Sequence, residues 1–106
     1  MIRVMIVDDH TMVRAAISHL IGGVGDIEVV AEADSGERAL ETLRSDPIDA
    51  ILCDIHMAGM GGYECLKRAH QAYPQLGLVA LTAEADVTLA RQVLECGVHA
   101  YVTKDA

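Results

Sequence analysis

The run Asp49-Ala-Ile-Leu-Cys-Asp54 constrains this chain more than any other stretch. Its apolar residues stop abruptly at a carboxylate, and the glycine-rich segment Met57-Ala-Gly-Met-Gly-Gly62 follows. A short continuous apolar run bounded by turn residues reads as a strand buried on both faces, the pattern of a parallel sheet enclosed by helices. An acid at the end of such a strand lies at the carboxyl edge of the sheet, where open α/β folds place their chemistry. Asp54 is therefore the candidate for the central reactive group.

Three other strand-like runs end in polar residues that suit the same edge. Met1 to Val7 leads into Asp8-Asp9, Leu76 to Leu81 into Thr82, and Val98 to Val102 into Thr103-Lys104. The segment Ile27 to Ala33 alternates in part, as an edge strand with one less covered side would. Between the runs lie helical patterns. Val13, Ile17, Leu20 and Ile21 form a stripe closed by Gly22-Gly23. Asp34-Ser35 caps a helix through about Arg44 that stops at Asp46-Pro47. A third helix is expected over about Gly62 to Ala72. A fourth is expected over about Glu84 to Cys96, with Gly97 as its terminator. Strand and helix thus alternate, which predicts a parallel sheet with right-handed crossovers and helices on both faces.

At 106 residues the chain is one domain, and without Trp or Phe its core must be aliphatic. A net charge of −8 with scattered Lys and Arg argues against nucleic-acid binding through this segment. Cys53, Cys65 and Cys96 have no metal-ligand spacing and read as small buried or semi-buried residues in a reducing compartment. The five histidines show no zinc pairing and are expected mostly to face solvent, while Met57 and Met60 are expected to pack the loop. The first strand starts too early for a signal peptide, and no apolar stretch reaches the roughly 20 residues of a membrane span. The expected location is the cytoplasm.

Convergence of Asp8, Asp9 and Asp54 at one edge clusters three carboxylates, which is tolerable only with a cation present or with raised pKa values. A hard divalent ion, Mg²⁺ with Mn²⁺ as the alternative, fits oxygen ligands, with the backbone carbonyl of His56 as a further donor. The set suits phosphoryl transfer, in which positioning and neutralisation of charge do most of the work. Asp54 is the nucleophile, Thr82 and the backbone N–H of Ala83 donate to phosphoryl oxygens, and Lys104 supplies a second positive charge. Taken singly, an Asp-Asp pair is also a turn or cap, Thr82 an N-cap and Lys104 a surface lysine. The conjunction at successive strand ends is what points to a phosphate site.

Val7-Asp8-Asp9-His10, Cys53-Asp54-Ile55-His56-Met57 and Val102-Thr103-Lys104-Asp105 resemble the receiver domain of bacterial two-component response regulators. Within that family the likeness is greatest to the NarL/FixJ group with a LuxR-type helix-turn-helix, and there to GacA/UvrY-like regulators. The resemblance implies a flavodoxin-like, doubly wound five-stranded sheet of order 2-1-3-4-5. It implies that Asp54 accepts a phosphoryl group from a sensor histidine kinase or phosphotransfer domain, small phosphodonors being further candidates, and that Asp8, Asp9, Asp54 and the His56 carbonyl hold Mg²⁺. Thr82 and Lys104 match the switch hydroxyl and the phosphate-binding lysine, and Tyr101 matches the aromatic that follows activation. His56 and Glu84 match the positions that set the lifetime of the phosphorylated state. The domain is expected to be a switch that promotes its own phosphorylation and dephosphorylation rather than an enzyme with a turnover substrate. A receiver that binds partners without phosphate and a Mg²⁺-dependent phosphatase with an aspartyl intermediate are the rival readings.

Two departures stand out. Family members usually carry Pro where this chain has Ala58, so the loop is expected to be more flexible. The sequence also stops at Ala106, before the fifth helix and the DNA-binding domain of the group, so DNA contact is expected only through a domain absent here. An uncovered sheet face near Val98, Ala100 and Val102 is the expected consequence, relieved by self-association.

Overall fold

The computed structural model describes residues 1–57, 59–82 and 99–103, the last strand by its backbone pairing. In chain order the elements are β1 (Ile2–Val7), α1 (Thr11–Gly22), β2 (Ile27–Ala33), α2 (Gly36–Ser45), β3 (Ala50–Asp54), α3 (Gly61–Ala72), β4 (Gly77–Thr82) and β5 (Ala100–Thr103). The strands form one five-stranded sheet of order β2-β1-β3-β4-β5, parallel throughout. This is the α/β architecture and strand order that the resemblance implied. The helix expected near Glu84 to Cys96 lies outside the described residues, as do Ala83, Glu84 and Lys104.

The order of strands decides which helix covers which face. The chain steps from β1 outward to β2, then back across β1 to β3 and onward to β4. With right-handed crossovers the change of direction puts α1 on one face and α2 with α3 on the other. Alternate side chains obey this division. Met5 and Val7 of β1, Ile51 and Cys53 of β3, and Leu78 and Ala80 of β4 form one buried cluster with Ala39 and Leu43 of α2 and Cys65, Leu66 and Ala69 of α3. It is aliphatic, as a chain without Phe or Trp requires. Met57 and Met60 pack against it from the loop after β3.

Local chemistry sets the helix ends. The Ser35 side chain accepts a hydrogen bond from the Arg38 N–H at 3.2 Å, capping α2. Asp46 then turns extended, at ψ 142°, as the residue before Pro47 must. Helix α1 departs from the expected stripe: Val13, Ile17 and Ile21 are half-buried, but Leu20 is 73% exposed. Arg14 and Ser18 take the inward positions instead, which turns the contact face by about an eighth of a turn away from Leu20. Strand β2 is an edge strand as expected. Its register against β1 slips between Val4 and Met5, leaving Val30 as an extra residue that is 39% exposed.

Candidate functional site

Asp8, Asp54 and Thr82 sit at the carboxyl ends of β1, β3 and β4, and all three are buried. Register places them side by side: Val7 lies against Cys53, and Asp54 against Leu81. Asp9 follows at the rim and remains partly open to solvent. One ligand atom from each of Asp8, Asp9, His10 and Asp54 can be chosen so that all lie within 4.8 Å of one another. Three convergent carboxylates of which two are buried are a donor set for a hard cation, because oxygen ligands and concentrated negative charge are what such an ion selects.

The backbone holds these carboxylates in place. The Asp8 N–H donates to the Ala33 carbonyl at 3.0 Å, and Asp8 Oδ1 accepts from the His10 N–H at 2.9 Å. Arg14 Nη1 donates to the Asp8 carbonyl at 2.7 Å while its Nε donates to Glu32 Oε1 at 3.1 Å, so one guanidinium ties α1 to the ends of both β1 and β2. At β3, Asp54 Oδ1 accepts from the His56 N–H at 3.2 Å. The Ile55 N–H donates to the Leu81 carbonyl at 2.9 Å, and the Gly62 N–H donates to the Ile55 carbonyl at 3.0 Å. Helix α3 thus begins immediately behind Asp54. A Cβ at position 62 would fall onto the Asp54 carbonyl oxygen, so only glycine permits this approach.

Beneath Asp54, the buried Cys53 and Cys65 thiols contact one another across β3 and α3. The hydrogen bond with Cys65 and burial push the Cys53 thiol well above the ordinary range. It therefore stays neutral and adds no negative charge below the acidic cluster.

Several sequence expectations meet here. Asp8, Asp9 and Asp54 converge, with Thr82 on the neighbouring strand end. His56 is exposed and adjoins Asp54 through its backbone N–H. Tyr101 lies on β5 opposite Ala80, and Thr103 lies opposite Thr82. Among the histidines, His10 was not singled out, yet its Nδ1 stands 3.0 Å from Asp9 Oδ1 and 3.3 Å from Asp8 Oδ1. Its position directly after the Asp-Asp pair was the available signal. Arg14 and Glu37 were also missed, since each reaches its partner across elements.

Residues 4–106 match the response regulator receiver domain family. The chain is 36% identical over all its 106 residues to the response regulator GacA of Pseudomonas viridiflava and 34% identical to the response regulator UvrY of Escherichia coli. It spans about half the length of these curated relatives, 50% and 49%. Among solved structures, a LuxR-family two-component response regulator from an Aurantimonas species superposes with a TM-score of 0.94 at 31% identity, covering 98% of this chain and 74% of that one. A CheY-like receiver domain protein from Methanospirillum hungatei superposes with a TM-score of 0.89 at 25% identity, over 100% of this chain and 83% of that one. Among the described residues no helix is long and apolar enough to cross a membrane. By family match, identity along its whole length and fold, the chain belongs to the receiver domains of response regulators.

Proposed function

We propose that Asp54 is the phosphoacceptor of this receiver domain and that Asp8, Asp9, Asp54 and the His56 carbonyl hold the Mg²⁺ that the reaction uses. The convergence of three strand-end carboxylates within 4.8 Å, two of them buried, carries the reading. When bound, Mg²⁺ neutralises charge on the carboxylates and on the phosphoryl oxygens. An Asp54 oxygen attacks phosphorus in line, the bond from phosphorus to the donor's imidazole nitrogen or acyl oxygen breaks, and the leaving group departs with its electron pair. The burial of Asp54 limits access of water to the acyl phosphate so formed.

Thr82 and the Ala83 N–H receive phosphoryl oxygens in this proposal, Lys104 pairs with a third, and Tyr101 moves into the space that Thr82 leaves. His56 and Glu84 govern water at the site mouth and so the lifetime of the phosphorylated state. The donor is a sensor histidine kinase, a phosphotransfer domain or a small acyl phosphate. The proposed output is control of a DNA-binding domain, supported by relatives that are named response regulators and are about twice as long as this chain. We also extend the reading to self-association, because Leu52 and Val79 on the α1 side of the sheet are only half-buried; sedimentation at micromolar concentration checks it, a strict monomer refuting it.

Intact-mass measurement after incubation with acetyl phosphate tests the acceptor. One phosphoryl group should appear with Mg²⁺, none with chelator, and none in Asp54→Asn. Undiminished uptake by the Asn variant overturns the assignment. Thr82→Ala should still be phosphorylated but show weaker NMR shifts around Tyr101, and shifts equal to the parent's refute the coupling.

A further inference from the structure

We propose that Glu37, on helix α2, is a positioning residue for the Asp54 site: its carboxylate caps α3 from outside and thereby holds the loop between Asp54 and α3. The inference rests on the reading of Asp54 as a metal-dependent phosphoacceptor.

Helix α3 has no cap of its own. Its N-cap residue, Met60, already has helical φ and ψ and provides no side-chain acceptor, although the first N–H groups of any helix need partners. The Met60 N–H instead donates at 3.0 Å to Glu37 Oε1, from a residue 23 positions earlier in the chain. A carboxylate at this place both accepts a hydrogen bond and sets negative charge against the positive end of the α3 dipole. The same carboxylate lies over Gly59, where an ideal Cβ would stand 3.4 Å from Oε1 and where φ is +76°. Gly36 allows the close approach, since an ideal Cβ there would meet Met60 Sδ and Cys65 Cβ at 3.1 Å.

The loop needs such a clamp. Glycines at 59, 61 and 62 leave its backbone permissive, and two of them, Gly59 and Gly61, take positive φ. Its first residues are fixed by the bond from His56 N–H to Asp54 and by the bond from Gly62 N–H to Ile55, both inside the site itself. Glu37 provides the hold from a separate element. Residue 56, whose carbonyl faces the metal in the proposed function, lies between the two anchors. A fixed loop keeps that donor in place before an ion arrives, and a loose one must be ordered by the ion at a cost in affinity.

An acid in the first turn of α2 has a competing explanation, stabilisation of that helix's own dipole. Two conservative variants separate the roles. Glu37→Gln keeps an acceptor oxygen that reaches Met60 and loses the charge, whereas Glu37→Asp keeps the charge for α2 and is one methylene too short to reach. Mg²⁺ affinity is read from NMR titration of the Asp54 and His56 amides, phosphorylation from acetyl phosphate uptake, and the cap from hydrogen exchange of the Met60 amide. Glu37→Asp should lose Met60 protection, bind Mg²⁺ about tenfold more weakly, and recover its phosphorylation rate at saturating Mg²⁺, while Glu37→Gln stays within about twofold of the parent. The reverse ranking, or Mg²⁺ affinity within twofold of the parent in Glu37→Asp, overturns the inference. Mg²⁺ binding by the parent without phosphoryl uptake overturns the phosphoacceptor reading alone, since the Mg²⁺ titration still decides on Glu37. No Mg²⁺ binding by the parent overturns both.

Discussion

The two faces of the sheet are built from the same strands and packed to different degrees. Ile51, Cys53, Leu78 and Ala80 point toward α2 and α3 and are sealed, whereas their chain neighbours Leu52 and Val79 point the other way and are half-buried. The helices show the same contrast. Helices α2 and α3 bury Ala39, Leu43, Cys65, Leu66 and Ala69, while α1 buries no residue completely and exposes Met12 and Leu20. Apolar content does not explain this, because α1 is as rich in aliphatic residues as its counterparts. Among the described residues what differs is cover: α2 and α3 pack together over one face, and α1 lies chiefly over β1 and β2 on the other. Hydrophobic stabilisation follows area removed from water, so the α2/α3 face should carry most of the folding energy and should hold the site rigid.

The largest test of that contrast uses two adjacent residues of β3. Ile51→Ala removes side-chain atoms from the sealed face and should cost about 2–5 kcal/mol in urea unfolding, whereas Leu52→Ala should cost clearly less. Equal losses would break the comparison. On the helices the gap should widen: Leu66→Ala in the same range of about 2–5 kcal/mol, and Leu20→Ala within about 0.5 kcal/mol of the parent. A second test strikes where the sealed face meets the site. Gly62→Ala forces α3 away from the Asp54 carbonyl and should cost about 1–3 kcal/mol as an overpacked contact, with weakened Mg²⁺ binding in NMR titration. Mg²⁺ affinity unchanged by Gly62→Ala would separate the packing of α3 from the geometry of the acids.

Much of the site was legible because its residues stand where a periodic pattern stops. Asp8, Asp54 and Thr82 each end an apolar run, and a run's end fixes the edge of the sheet on which the side chain appears. Ser35, Asp46 and Pro47 marked α2 for the same kind of local reason. Strand order was of another kind: alternation of strand and helix allows several orders, and the one observed came from the family likeness. Leu20 was misplaced because helical spacing defines a stripe without saying how the helix rolls on its sheet. Arg14 and Glu37 escaped because their partners, Glu32 and Met60, are 18 and 23 residues away. No local pattern encodes such a contact; the packing of α1 on β2 and of α2 on α3 creates it.

The smallest expected effect lies at the opposite rim of the sealed face and shows that burial, rather than the face as such, sets the scale. Arg3 and Asp49 continue the parity of Met5 and Ile51 to the amino edge of the sheet. There Arg3 Nε and Nη2 each donate at 3.1 Å to the Asp49 carboxylate, and the Arg3 backbone N–H donates at 2.8 Å. These bonds hold the Asp49 carboxyl below its ordinary value, the side-chain bond from Arg3 first and the backbone bond next. A carboxylate whose pKa is lower folded than unfolded stabilises the fold at pH above its unfolded value, about 3.9, and loses that contribution as pH falls through the folded value. The stability difference between the parent and Asp49→Asn should therefore be constant from neutral pH down to about pH 4 and shrink below it. Both side chains are well exposed, so water and salt screen the pair, and the difference should stay below the Ile51→Ala loss and diminish in high salt. Urea midpoints of the two proteins across pH 2.5–7 measure it. A difference that grows on acidification would reverse the sign of the linkage and remove Arg3 as its cause.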